Sequence, residues 1–140
     1  MADRWTRLAE LAVHGANVQR DQIVMVSAEL GQEDLARPVA AAAYARGAKY
    51  VDVVYFDPHL KRARVQHADP ETLDYVPEWY GERLLTLAEG HGARIALAGA
   101  VEPNLMDDLD SSLVGRDRLP LLKSSHSPPT PRAIRDVRSR

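Results

Sequence analysis

Three short apolar runs, each preceded by a stretch with helical spacing, set the strongest limit on what this chain can fold into. The runs are Ile23-Val24-Met25-Val26-Ser27, Tyr50-Val51-Asp52-Val53-Val54-Tyr55 and Arg94-Ile95-Ala96-Leu97-Ala98. The first has no polar alternation, which suits a strand buried on both faces. Strands that alternate with helices imply parallel pairing through right-handed crossovers. The expected fold class is therefore α/β: an open, mainly parallel sheet of at least three strands with helices on both faces.

Local signals place the helices. Asp3 can cap a helix whose apolar face is Trp5, Leu8, Ala9 and Ala12, with Gly15 at its stop. Pro38 is best tolerated in a first turn, so a second helix is expected to begin near Leu35 to Arg37 and to stop at Gly47. Asp57-Pro58 is a cap followed by proline at the first helical position. It opens a helix with Leu60, Ala63, Arg64 and His67 on one face. Asp69-Pro70 repeats the signal for a short turn. Pro77 opens a further helix with Tyr80, Leu84, Leu87 and Ala88 on one side and Gly90 at its end. Short helical pieces are expected at Pro103 to Leu109 and Ser112 to Leu122.

The 140 residues fit one domain and a tail, at about 100–200 residues per domain. Residues 123–140 carry Lys123, Arg132, Arg135, Arg138 and Arg140 against one acid, Asp136. The preceding residues hold 13 basic and 19 acidic groups. With Pro128, Pro129, Pro131 and four serines, the basic Pro/Ser/Arg tail has too few apolar groups to offset the entropy of ordering and is expected to be disordered. The expected boundary lies near Leu122, giving an α/β domain over 1–122 and a tail over 123–140.

The overall charge of −2 gives no bulk positive field for nucleic acid or anionic lipid. The absence of cysteine removes disulfides, thiol nucleophiles and thiolate metal sites. The N-terminus lacks the apolar run of roughly 7–15 residues that a secretory signal needs, and no stretch reaches the ~18 that span a bilayer. A cytoplasmic protein that binds neither membrane nor nucleic acid is expected.

Chemistry-bearing residues were sought beyond the C-terminal strand ends, where open parallel sheets bind ligands. After the first strand, Gly31 is the single glycine, while Glu29, Glu33 and Asp34 would repel a phosphate; these acids are expected to offset a helix dipole. Ser27 is expected to be a strand-end hydrogen-bonding residue, with no nucleophile elbow around it. Asp57 is expected to cap while His59 faces water. His67 and Asp69 end one helix and cap the next, and His14 and His91 precede glycines at helix ends. His126 lies in the tail. Trp79 and Tyr80 are expected in a core, and Arg132, Arg135 and Arg138 lack the aromatic platform of a strand-binding surface. Three or more converging ligands, which a complete metal site usually needs, cannot be assembled. No catalytic or metal-binding residue is therefore assigned, and the substrate-binding residues stay unknown.

Several separated segments carry a resemblance. Leu11-Ala12-Val13-His14-Gly15-Ala16-Asn17-Val18-Gln19, followed by Gln22-Ile23-Val24, resembles the opening of the thermophilic metallo-aminopeptidases, the aminopeptidase T and aminopeptidase S family. Ala43-Tyr44-Ala45-Arg46-Gly47-Ala48-Lys49-Tyr50-Val51 is similar to the family's next helix-to-strand junction. So are Tyr55-Phe56-Asp57-Pro58 with Arg62-Ala63 and His67-Ala68, and Tyr75-Val76-Pro77-Glu78-Trp79 with Glu82-Arg83. The resemblance covers roughly residues 8 to 100. It implies two-domain, dimeric peptidases that remove N-terminal amino acids from peptides with two divalent metals, zinc or cobalt, whose ligands come from a later, larger domain. No residue here matches a ligand motif, so none is carried over, and no cofactor is expected in this chain.

Similarity fades after about Leu122, so a truncated or frame-shifted product and a chain that evolved to this length both stay open. The expected function is that of the N-terminal domain of such a peptidase, inactive alone. The alternative is a non-enzymatic binding or assembly module that self-associates through surfaces meant for a missing domain. An independent hydrolase or nucleotide binder fits poorly with the acidic first loop.

Overall fold

A computed structural model describes residues 3–117, so the tail, its expected boundary near Leu122, and His126, Arg132, Arg135 and Arg138 lie outside the described residues. The elements are α1 (Arg4–Gly15), β1 (Ile23–Glu29), α2 (Glu33–Ala45), β2 (Tyr50–Phe56), α3 (Pro58–His67), a 3₁₀ turn (Pro70–Thr72), α4 (Glu78–Glu89), β3 (Ala93–Ala96) and α5 (Ser111–Arg116). The chain divides into two compact units. Of the described residues, one unit holds 3–56 and 86–101; the other holds 57–85 and 102–117.

The first unit is an α/β sheet of the expected kind, with strand order β2-β1-β3 and all pairing parallel. Central β1 pairs Val24 with Val51 and Ala93, and Val26 with Val53 and Ile95. These side chains share one face and join Ala9, Val13, Ala36, Val39 and Ala43 of α1 and α2 in a single core. Small residues let the two helices lie close. That is why the buried stripe of α1 is Ala9 and Val13, whereas Trp5 and Leu8, expected inside, are 38% and 41% exposed. Pro38 also departs from expectation. α2 starts at Glu33, before Pro38, because Gln32, Glu33 and Asp34 supply an extra first turn.

Each helix that feeds a strand ends in the same joint. After α1, Asn17 takes a left-handed φ of 51°, with Asn17 N donating to His14 O and Val18 N to Val13 O. After α2, Gly47 (φ 94°) donates to Tyr44 O and Ala48 to Ala43 O. After α4, His91 (φ 51°) donates to Ala88 O and Gly92 to Leu87 O. This paired closure satisfies the last helical carbonyls and turns the chain into the strand. The left-handed residues are thus Asn17 and His91, rather than the neighbouring Gly15 and Gly92. Gly92 is needed for space: a Cβ there would lie 2.2 Å from Leu87 Cδ1 and 2.8 Å from Ile23 O.

Gln22 ties the three joints together at the N-terminal end of the sheet. Its Oε1 accepts from Gln19 N (2.9 Å), its Nε2 donates to His91 O (2.6 Å), and its carbonyl accepts from Lys49 N (2.8 Å).

The second unit is built around α3. Asp57 caps it, accepting from His59 N at 2.9 Å, and Asp69 caps the 3₁₀ turn. Its apolar core is small, with Val65 and Leu73 buried. Of the residues expected to share one face, Leu60 is 70% exposed whereas Arg64 is mostly covered, as is Arg62. Residues 103–109 form successive turns, not the expected helix, closed by Leu105 N to Glu102 O, Asp107 N to Asn104 O and Leu109 N to Met106 O. On α4, Trp79 is 63% exposed and meets Tyr80 edge to face at 5.7 Å, so it is not the core residue expected. Leu87 is the buried residue of that helix.

The His91-Gly92 pair gives a direct test of the joint. His91→Gly should be neutral or stabilising by up to about 1 kcal/mol, because glycine takes left-handed φ without cost. Gly92→Ala should destabilise by about 1–3 kcal/mol through overpacking. Urea unfolding of the two variants reads the difference, and equal effects would contradict the assignment.

Candidate functional site

The order β2-β1-β3 puts the topological switch point at the C-terminal end of β1, since the chain leaves β1 toward β2 and later returns on the opposite side as β3. Ligands in open α/β sheets favour this crevice. Here it is closed by the chain itself. Glu29, the last residue of β1, is 2% exposed, and its carboxylate accepts from Val101 N at 2.8 Å. Gln32 accepts from Glu29 N at 2.7 Å and donates from Nε2 to Gly99 O at 2.9 Å. Gly31 sits at φ 97°, and the methyl carbons of Val101 lie 3.3 and 3.4 Å from where a Cβ would be. Leu30 N donates to Phe56 O at 3.0 Å.

The acids of this loop divide into two kinds. Glu33 and Asp34 lie in the first turn of α2 as expected, and the hydrogen bond from Gly31 N holds the Glu33 carboxyl below the usual range. Glu29 is different. It is a buried acceptor that fastens the segment after β3, and nothing in its immediate sequence shows that, because Val101 is 72 residues away. Gln32 escaped sequence reasoning for the same reason. Ser27 lies two residues before the end of β1, where its carbonyl accepts from Leu97 N at 2.9 Å.

The remaining candidates are also occupied locally. His59 does not simply face water: its imidazole is hydrogen-bonded to the Glu102 carboxylate. His67 lies in the last turn of α3, and Asp69 accepts from Glu71 N at 3.0 Å. His14 lies in the last turn of α1, with Nδ1 3.4 Å from Arg46 Nη1. His91 serves through its backbone. Among the described residues, no three or more His, Asp or Glu side chains converge in a way that could hold a metal ion. The described residues therefore do not fit a metal centre, and no reaction step is assigned to them. Among them, too, no helix is long and apolar enough to cross a membrane.

The chain matches a known family. The family of thermophilic metalloproteases (M29) matches residues 1–124. This chain belongs to that family. Aminopeptidase T of Thermus thermophilus is 35% identical over 111 residues, covering 79% of this chain and 27% of that protein. Aminopeptidase AmpS of Bacillus subtilis is 31% identical over 120 residues, covering 85% and 29%. The solved structure of wild-type AmpT from Thermus thermophilus has a TM-score of 0.74 at 31% identity, covering 94% of this M29 chain and 33% of that chain. The M29 chain thus spans under a third of the length of these relatives.

Two outcomes follow from the site. Glu29→Leu removes the buried acceptor of the Val101 amide and should cost about 1 kcal/mol in urea unfolding, with Glu29→Gln costing less because an acceptor oxygen remains. Acid stability has a definite sign. Hydrogen bonds from Arg62 lower the Asp108 carboxyl pKa, and those from Ser112 lower that of Asp110. A carboxyl lowered on folding stabilises the fold above its unfolded pKa and loses that contribution as pH falls through the folded value. Thermal stability should therefore be level from neutral to about pH 5 and fall below about pH 4. A rise in melting temperature on acidification would contradict this.

Proposed function

We propose that this chain is the amino-terminal α/β part of a metal-dependent aminopeptidase acting in the cytoplasm. In this role it supports removal of N-terminal amino acids from peptides without contributing a metal ligand. The observation that carries the reading is the match of residues 1–124 to the M29 family, with named aminopeptidases as relatives. The charged side chains described above support the second half, since they serve as caps, clamps and ion pairs. On this reading, the divalent metals, zinc or cobalt, are held in the part of the relatives with which this chain does not align. The 140 residues alone are inactive.

Two measurements test it. The purified chain should show no EDTA-sensitive hydrolysis of leucyl- or arginyl-p-nitroanilide with added Zn²⁺ or Co²⁺. Placed in aminopeptidase T of Thermus thermophilus in exchange for the matching segment, it should sustain metal-dependent turnover. Turnover by the chain alone would sink the claim that it holds no metal ligand. A folded chimera without turnover would sink the aminopeptidase role.

One observation favours a second reading, an assembly module. Trp5, Leu8 and Leu11 expose apolar surface along one flank of α1, with Leu11 67% exposed. Such patches mark association surfaces. Light scattering on the eluting protein separates a self-associating chain from a monomer, and a monomer at every concentration would remove this reading.

A further inference from the structure

We propose that Glu102–Asp117 is a strap fastened to α3 by one histidine–carboxylate hydrogen bond and two arginine–carboxylate pairs and releasable while the β-sheet stays intact. The segment contains α5 and the turns before it; Leu105, Met106, Leu109, Leu113 and Val114 are partly buried, and Asp117 is its one buried residue. Partial apolar burial and side-chain charge hold it together, and the charged contacts are the part that salt can weaken.

The fastenings lie along one helix. At the first, the His59 imidazole is hydrogen-bonded to the Glu102 carboxylate, with both side chains more than half exposed. At the second, Arg62 meets Asp108 with both arms of its guanidinium, Nη1 to Oδ1 and Nη2 to Oδ2, each at 2.6 Å. Nη1 also donates to Leu105 O. This fork is the strongest geometry an arginine and a carboxylate can adopt. At the third, Arg64 Nη1 donates to Asp117 Oδ1 at 3.1 Å, where the aspartate side chain is 2% exposed. Its Nη2 reaches the carbonyls of Thr72, Leu73 and Tyr75 at 2.9, 3.1 and 3.1 Å. Arg64 thus joins the end of the strap to the turn after α3.

Solvent grades these pairs. The first is open to water, and the second, with Asp108 65% exposed, is screened by salt. The third is shielded. The strap should therefore loosen from its Glu102 end, with the Asp117 end holding longest. Loosening would exchange the Glu102 and Asp108 carboxylates for water and uncover the Arg62 guanidinium on α3.

Hydrogen exchange read by mass spectrometry on the full 140-residue chain tests this. The amides of Leu105, Asp107 and Leu109 are bonded within the strap, as are those of Leu113 and Val114 near its end. Raising salt from about 0.01 M to about 1 M should speed exchange in the first group about tenfold, and in the second group less. Amides of Val24 to Ala28 should hardly change. Arg62→Gln should produce the same loosening at low salt. Asp108→Asn, which leaves α3 unaltered, should do likewise, and in either variant added salt should have little further effect on the first group. The proposal is overturned if salt and both variants leave the strap unmoved, if the variants keep the full salt response, or if protection in β1 falls in step with the strap.

Discussion

The side-chain amide of Gln22 joins turns that are far apart in sequence and fixes how they meet at one end of the sheet. It binds the turn after α1 through Gln19 and the end of the α4 joint through His91, while the backbone of the same residue receives Lys49 at the start of β2. An amide suits this position because it donates and accepts at once. Gln32 does the matching work at the other end of β1, accepting from Glu29 and donating to Gly99. The central strand is therefore pinned at both ends by glutamines. The two edge strands are aligned to it by bonds that need no titratable group, apart from the buried Glu29.

The second unit is held differently. Among the described residues its buried apolar side chains are Val65 and Leu73, and α3 organises it through arginines that reach segments 43 to 53 residues away. One chain thus contains an apolar sheet unit and a charge-fastened unit side by side in sequence. The M29 relatives carry more than two thirds of their length beyond the part that aligns here. The groups that could have been taken for chemistry, His59 and Asp57 among them, are occupied in holding this part together.

What the sequence revealed follows the range of the forces involved. Strands were legible because apolar runs of β-rich residues report burial directly, and all three lie close to where they were expected. Proline-marked helix starts at Asp57 and Asp69 were legible because a cap acts within three residues. The joints were only half legible: His-Gly and Gly-Ala-Asn both announce a helix end, but which residue turns left-handed depends on the neighbour packed beneath, as Leu87 beneath Gly92 shows. The face of α3 that carries Leu60, Ala63, Arg64 and His67 was legible as a face, but not that its arginine would be covered and its leucine open, which depends on partner carboxylates far along the chain. Glu29, Gln32 and the Arg62 fork could not be found locally at all, their partners being brought near only by the fold.

The meeting of Gly31 and Val101 carries a consequence for how such chains can diverge. The left-handed backbone at 31 and the valine methyls above it occupy one small volume, shared by residues 70 positions apart. A family member that carries a side chain at the first position should carry a smaller residue, or a displaced loop, at the second. The two sites are expected to change in concert, and an alignment of M29 chains would show them as a covarying pair at the mouth of the sheet.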